Sequence, residues 1–104
     1  MNFLTSEIQE ARAQHVEIRD DSLVITLVDG RIISVPLTWY PRLWYGTKEE
    51  RKQLRLAGDG TFIHWPELDE DLSIEGILLG RRSGESTESL RKWLSARETR
   101  TRKK

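Results

Sequence analysis

A chain of 104 residues, a third of them charged, has room for one domain with one modest core, and no apolar run approaches the roughly 20 residues that span a bilayer. The absence of cysteine excludes disulfides, thiolate chemistry and Cys-based zinc sites and suits the cytoplasm; with no spanning run, no membrane partner is expected. Zero net charge conceals an asymmetry: residues 1–80 carry 8 basic and 14 acidic side chains, a net −6, and residues 81–104 carry 9 and 3, a net +6.

Residues 1–15 form an N-terminal segment. Its opening, "MNFLTSEIQE", lacks a basic stretch ahead of an apolar one, so no secretory signal is expected. Ser6-Glu7-Ile8-Gln9 has capping-box form, and Ile8, Ala11 and His15 fall at helical spacing, which predicts a short helix with a thin apolar stripe.

The body spans residues 16–82. "HVEIRD" predicts a strand that turns at Asp20-Asp21. "SLVITLVDGRIISVPL" then holds two β-rich runs around Asp29-Gly30, the pair favoured in a two-residue type I′ turn. That turn sets Val28 opposite Arg31, Leu27 opposite Ile32 and Ile25 opposite Ser34. One face then carries Leu23, Ile25, Leu27 and Ile32, and the other Val24, Val28, Ile33 and Val35.

Pro41 suits the first turn of a short helix that Gly46 can end. Thr47-Lys48-Glu49-Glu50 is a second capping box, followed by Leu54 as the inward residue and Leu56 just beyond. Trp39, Tyr40, Trp44 and Tyr45 have the look of a ligand-stacking box, but aromatic residues this dense more often serve as core and lid. "AGDG" marks a turn. Thr61 to Trp65 reads as a strand, with Phe62 and His64 on one face and Ile63 and Trp65 on the other. Pro66 ends it, the acidic residues line a turn, and Ser73 caps a brief helix from Ile74 to Leu79 closed by Gly80.

From Arg81 the composition shifts. "RRSGES" is a polar linker, and residues 83–104 form a basic amphipathic helix with Leu90, Trp93, Leu94 and Arg97 on one face and a frayed end. That stripe needs a partner surface: its own body, or a second copy in a homo-oligomer.

The residues bearing chemistry assemble into nothing catalytic. Glu67, Asp69, Glu70 and Asp71 are nearly consecutive and match no EF-hand, and His64 is the only imidazole near them. No serine sits in a nucleophile elbow, and "AGDG" is no phosphate loop. No catalytic residue, metal ligand or cofactor is expected; an enzyme using His64 with Asp69 or Asp71 is the least favoured reading.

The succession "LVITLVDGRIISVPLTWYPRL" and "GTKEERKQLRLAGDGTFIHWPELDEDLSIEGILLG" resembles the bacterial family catalogued as domain of unknown function 2442, over roughly Val16 to Arg82. The resemblance implies a compact α+β domain, with the Asp29-Gly30 hairpin and the later strand in one antiparallel sheet packed by short helices. It also implies a small protein partner encoded next to the gene, in a toxin–antitoxin pair. Some family members end in a helix-turn-helix; a single short basic helix stands there in this chain.

Two functions from different classes follow. The first is a cytoplasmic, non-enzymatic domain that binds a small protein through Trp44, Tyr45, Trp65, Glu67, Asp69 and Glu70. The alternative is a nucleic-acid-associated protein acting through Arg91, Lys92, Trp93, Arg97 and Arg100, where cations meet phosphates and Trp93 stacks.

Overall fold

The computed structural model describes the backbone of residues 11–102 and the side chains of residues 11–98. The helix expected around Ser6-Gln9 lies outside the described residues. His15, assigned to its stripe, belongs to the first strand, β1 (Ala13–Arg19).

β1 pairs antiparallel with β2 (Ser22–Leu27), and β2 with β3 (Ile32–Pro36). The β1–β2 turn falls at Asp20-Asp21 as expected, Asp20 taking a left-handed φ of 51°. The β2–β3 loop departs from expectation. Leu27 N–H donates to the Arg31 carbonyl at 2.8 Å and Gly30 N–H to the Leu27 carbonyl at 2.9 Å. Of the loop residues only Gly30 takes a positive φ, 97°. This is a three-residue loop with a glycine bulge, in place of a type I′ turn. Asp29 supplies the reason: its carboxylate accepts from the Arg31 backbone N–H at 3.0 Å and from the Arg31 guanidinium at 2.8 Å.

The extra loop residue slips the register by one, to Thr26 opposite Ile32 and Ile25 opposite Ile33. A slip of one turns every side chain of β3 over. Ile33 and Val35 therefore join Leu23, Ile25 and Leu27 on the inner face, while Ile32 is 67% exposed.

A 3₁₀ turn (Leu37–Trp39) leads into α1 (Pro41–Tyr45), with Pro41 in its first turn, and α2 (Lys48–Lys52) follows. The Thr47–Glu50 capping box is complete: Glu50 N–H donates to Thr47 Oγ1 at 3.1 Å, and Thr47 N–H to Glu50 Oε1 at 2.8 Å. Leu54 packs against the core, whereas Leu56 stays largely exposed.

A second antiparallel sheet contains β4 (Arg55–Ala57), β5 (Phe62–Trp65) and β6 (Glu70–Ser73). The later strand thus belongs to its own sheet rather than to the hairpin's. The acidic run is a turn only over residues 66–69; from Glu70 it pairs back along β5, with Trp65 opposite Glu70 and His64 opposite Asp71. Alternation on β5 is as expected: Ile63 and Trp65 are fully buried and Phe62 is exposed. Ser73 Oγ accepts from Gly76 N–H at 2.9 Å and caps α3 (Ile74–Leu78). Leu23, Ile25 and Leu27 from the first sheet share one core with Ile63 and Trp65 from the second, joined by Leu37, Tyr40, Leu43, Leu68 and Ile74.

α4 (Thr87–Arg102) docks on this body. Leu90, Trp93, Leu94 and Arg97 are half-buried, and Trp93 packs against the core. Within the stripe, Trp93 and Arg97 are engaged by their own chain.

Candidate functional site

α1 is five residues long, and nearly every side chain on it has a task. Leu43 is fully buried. Arg42 donates to the carbonyls of Leu68 at 3.3 Å and Asp69 at 3.2 Å, and its Nη2 lies 2.6 Å from Glu85. The helix ends at Gly46, whose backbone is extended; a Cβ there would lie 2.9 Å from both Leu68 methyl carbons. Glycine is needed because Leu68, the buried plug of the β5–β6 turn, closes directly onto it. Arg51 caps the C-terminal carbonyls, donating to Leu43 and Trp44 at 2.6 Å each, where the helix dipole favours a cation.

What remains points outward. Trp44 is 39% and Tyr45 52% exposed. Gly46 and Arg42 fasten α1 to the 66–69 turn, which carries the exposed Glu67 and Asp69. Four of the six residues proposed for partner contact, Trp44, Tyr45, Glu67 and Asp69, are thus exposed on two elements fastened to one another. Glu70 sits at the margin, half-buried, and burial holds its carboxyl above the usual range. Trp65 does not belong: it is fully buried, and its indole N–H donates to the Arg51 carbonyl at 3.1 Å. Its place on the buried face of β5 was legible from alternation with Ile63, and that reading excludes it from a contact surface.

The tail residues divide differently. Arg97 makes two hydrogen bonds to Glu50, at 2.7 and 2.8 Å, which hold the Glu50 carboxyl down at about 2. The guanidiniums of Arg42 and Arg97 lie 5.0 and 4.6 Å from the centre of the Trp93 ring. Trp93 and Arg97 therefore fasten α4 to the body. Arg91 and Lys92 are exposed, and the Arg100 side chain lies outside the described residues. The clasp of Arg97 on Glu50 carried no sequence signal, since partners 47 residues apart leave no local pattern, and the same holds for Arg42 and Glu85, 43 apart.

His64 Nδ1 is hydrogen-bonded across the strands to Asp71, while Asp69 lies 3.6 Å from Arg42. The three residues considered for acid–base work are thus split between two partnerships. Among the described residues, no group of three His, Asp or Glu side chains is placed to hold a metal ion. A cleft of about 520 Å³ lies between β6 and the 81–89 segment, but Arg42, Glu70, Arg81 and Glu85 give it charge of both signs.

The family model described as "Protein of unknown function (DUF2442)" matches residues 13–83. The chain belongs to that family. The DUF2442 match starts at the first residue of β1 and stops before α4, so the docked helix lies beyond the shared unit. Two solved structures have the same fold. One is the crystal structure of a protein of unknown function from Rhodospirillum rubrum, with TM-score 0.66 and 23% identity, covering 73% of this chain and 94% of that one. The other is the solution NMR structure of an uncharacterised protein from Chromobacterium violaceum, with TM-score 0.63 and 20% identity, covering 88% and 92%. No curated protein matches the chain. At these identities the likeness establishes architecture, and function has to be argued from the surface.

Proposed function

We propose that this DUF2442 chain is a non-enzymatic interaction domain of the bacterial cytoplasm that binds, and neutralises, a small basic protein. The observation that carries the reading is the adjacent pair Trp44 and Tyr45, exposed on a short helix otherwise pinned by Leu43, Arg42 and Gly46. Large aromatic side chains held rigidly at the surface are the residue types that dominate binding energy at interfaces. The exposed carboxylates of Glu67 and Asp69, on the turn to which that helix is fastened, favour a partner that presents Lys or Arg. The small protein encoded next to the gene, implied by the family resemblance, is the first candidate.

The nucleic-acid reading has less to stand on, since Trp93 and Arg97 are committed to Arg42 and Glu50.

Calorimetric titration of the full chain with the recombinant product of the neighbouring gene tests the proposal. Trp44→Ala combined with Tyr45→Ala is expected to cost about 2 kcal/mol or more, roughly thirtyfold in affinity, with the fold intact. Glu67→Lys with Asp69→Lys is expected to weaken binding most at low salt. Full affinity in both double variants would contradict the proposed surface.

A further inference from the structure

The four sheet edges are guarded very differently. β1 has a bulge near Gln14, charges at Glu17 and Arg19, and α2 packed beside it. β4 is three residues long and starts with Arg55, and β6 carries Glu70 and Asp71. Shortness, charge, bulges and covering helices are the devices that keep an edge strand from pairing with another chain. β3, "IISVP", has none of the first three within it, and Pro36 stands only at its end. Its first residue, Ile32, is 67% exposed, and Val28 in the preceding loop is 55% exposed.

The backbone of β3 shows what this edge offers. The bonds from Leu27 N–H to the Arg31 carbonyl and from Leu37 N–H to the Asp21 carbonyl bracket the β2–β3 ladder. In that antiparallel pattern Ile33 and Val35 direct their backbone groups at β2. Ile32 and Ser34 direct theirs outward, and Pro36 offers a carbonyl but no N–H.

We infer that β3 is a self-association edge: two copies pair antiparallel through it, across a two-fold axis at Ser34, into one six-stranded sheet. The strand is complementary to itself in that register. Each Ser34 donates to and accepts from the other, and each Ile32 N–H meets the Pro36 carbonyl of the second copy. Both outward donors of each strand are then satisfied, and the one group opposite the Ile32 carbonyl is the proline nitrogen, which has no proton to give. The contact is isologous, the commonest kind in homo-oligomers. Charge also selects the direction. Antiparallel pairing puts the two Arg31 residues at opposite ends, whereas parallel pairing would set them side by side at a cost. The outer-face residues Val24, Val28 and Ile32 continue across the axis. So narrow an interface makes a weak, concentration-dependent dimer, separate from the Trp44–Tyr45 surface.

Sedimentation velocity of the full chain over a concentration series, with amide hydrogen exchange at each concentration, tests this. The average mass should rise toward twice that of the chain, and the Ile32 and Ser34 amides should gain protection in step. Ile32→Lys and Ser34→Pro should each remain at single-chain mass throughout the same range. Circular dichroism reports whether each is folded, and if proline disrupts the strand the lysine variant alone decides. A single-chain mass for the unaltered protein at every concentration would overturn the inference. So would a dimer that Ile32→Lys leaves intact, or Ile32 and Ser34 amides whose exchange ignores concentration.

Discussion

Gly30 and Asp29 show how much one turn decides. The Asp-Gly pair announces a hairpin, but the Asp29 carboxylate binds the Arg31 backbone and the loop takes three residues, with Gly30 alone at positive φ. Gly30→Val should therefore still destabilise the fold by about 1–2 kcal/mol, because a β-branched residue resists that conformation. A thermal melt matching the unaltered protein would contradict it. Trp65 makes the opposite point. It looked like a contact residue, yet it is fully buried and bonded to the Arg51 carbonyl, so Trp65→Ala should cost about 3–5 kcal/mol by chemical denaturation. His64 and Asp71, a cross-strand pair with Asp71 largely exposed, should matter little: His64→Ala is expected to cost about 1 kcal/mol in the same assay.

Among the elements, those with local signals were legible. The strands around Asp29-Gly30, Pro41 opening α1, the Thr47–Glu50 capping box and the alternation along β5 all follow from neighbouring residues. β6 was not legible, because "EDLS" is acidic and has one apolar residue, and its pairing with β5 is a tertiary contact with no local pattern. The second sheet was missed for the same reason. Of the candidate contact surface, Trp44, Tyr45, Glu67 and Asp69 were named from sequence, but the Gly46–Leu68 closure that ties α1 to the 66–69 turn is a long-range packing event. α4 was recognised as an amphipathic helix, and its clasp makes a pH prediction. Arg97 lowers the Glu50 carboxyl from 4.5 to about 2 in the folded chain, so the clasp stabilises fully above the ordinary value. That stabilisation is lost as pH falls through about 2. The Trp93 indole signal in an NMR titration should therefore hold through the ordinary carboxylate range and move only near the folded value. Glu50→Gln keeps a residue suited to the capping box but removes the charge. It should leave α2 intact and speed amide exchange in α4; unchanged exchange there would show that the clasp does not hold the helix.

For the whole molecule, the acidic body and basic tail are partly reconciled inside one chain, through Arg97 with Glu50. Trp44, Tyr45, Glu67 and Asp69 are exposed, and they form the surface proposed for a protein contact. The most direct test is an amide and indole chemical-shift map of the labelled full chain, titrated at physiological salt with the neighbouring gene product and separately with duplex DNA. Binding as a protein-interaction domain predicts shifts centred on Trp44, Tyr45, Glu67 and Asp69 with the protein, and no saturable shifts with DNA. Saturable DNA shifts centred on Arg91 and Lys92, with α1 and the 66–69 turn unmoved by the protein, would contradict it.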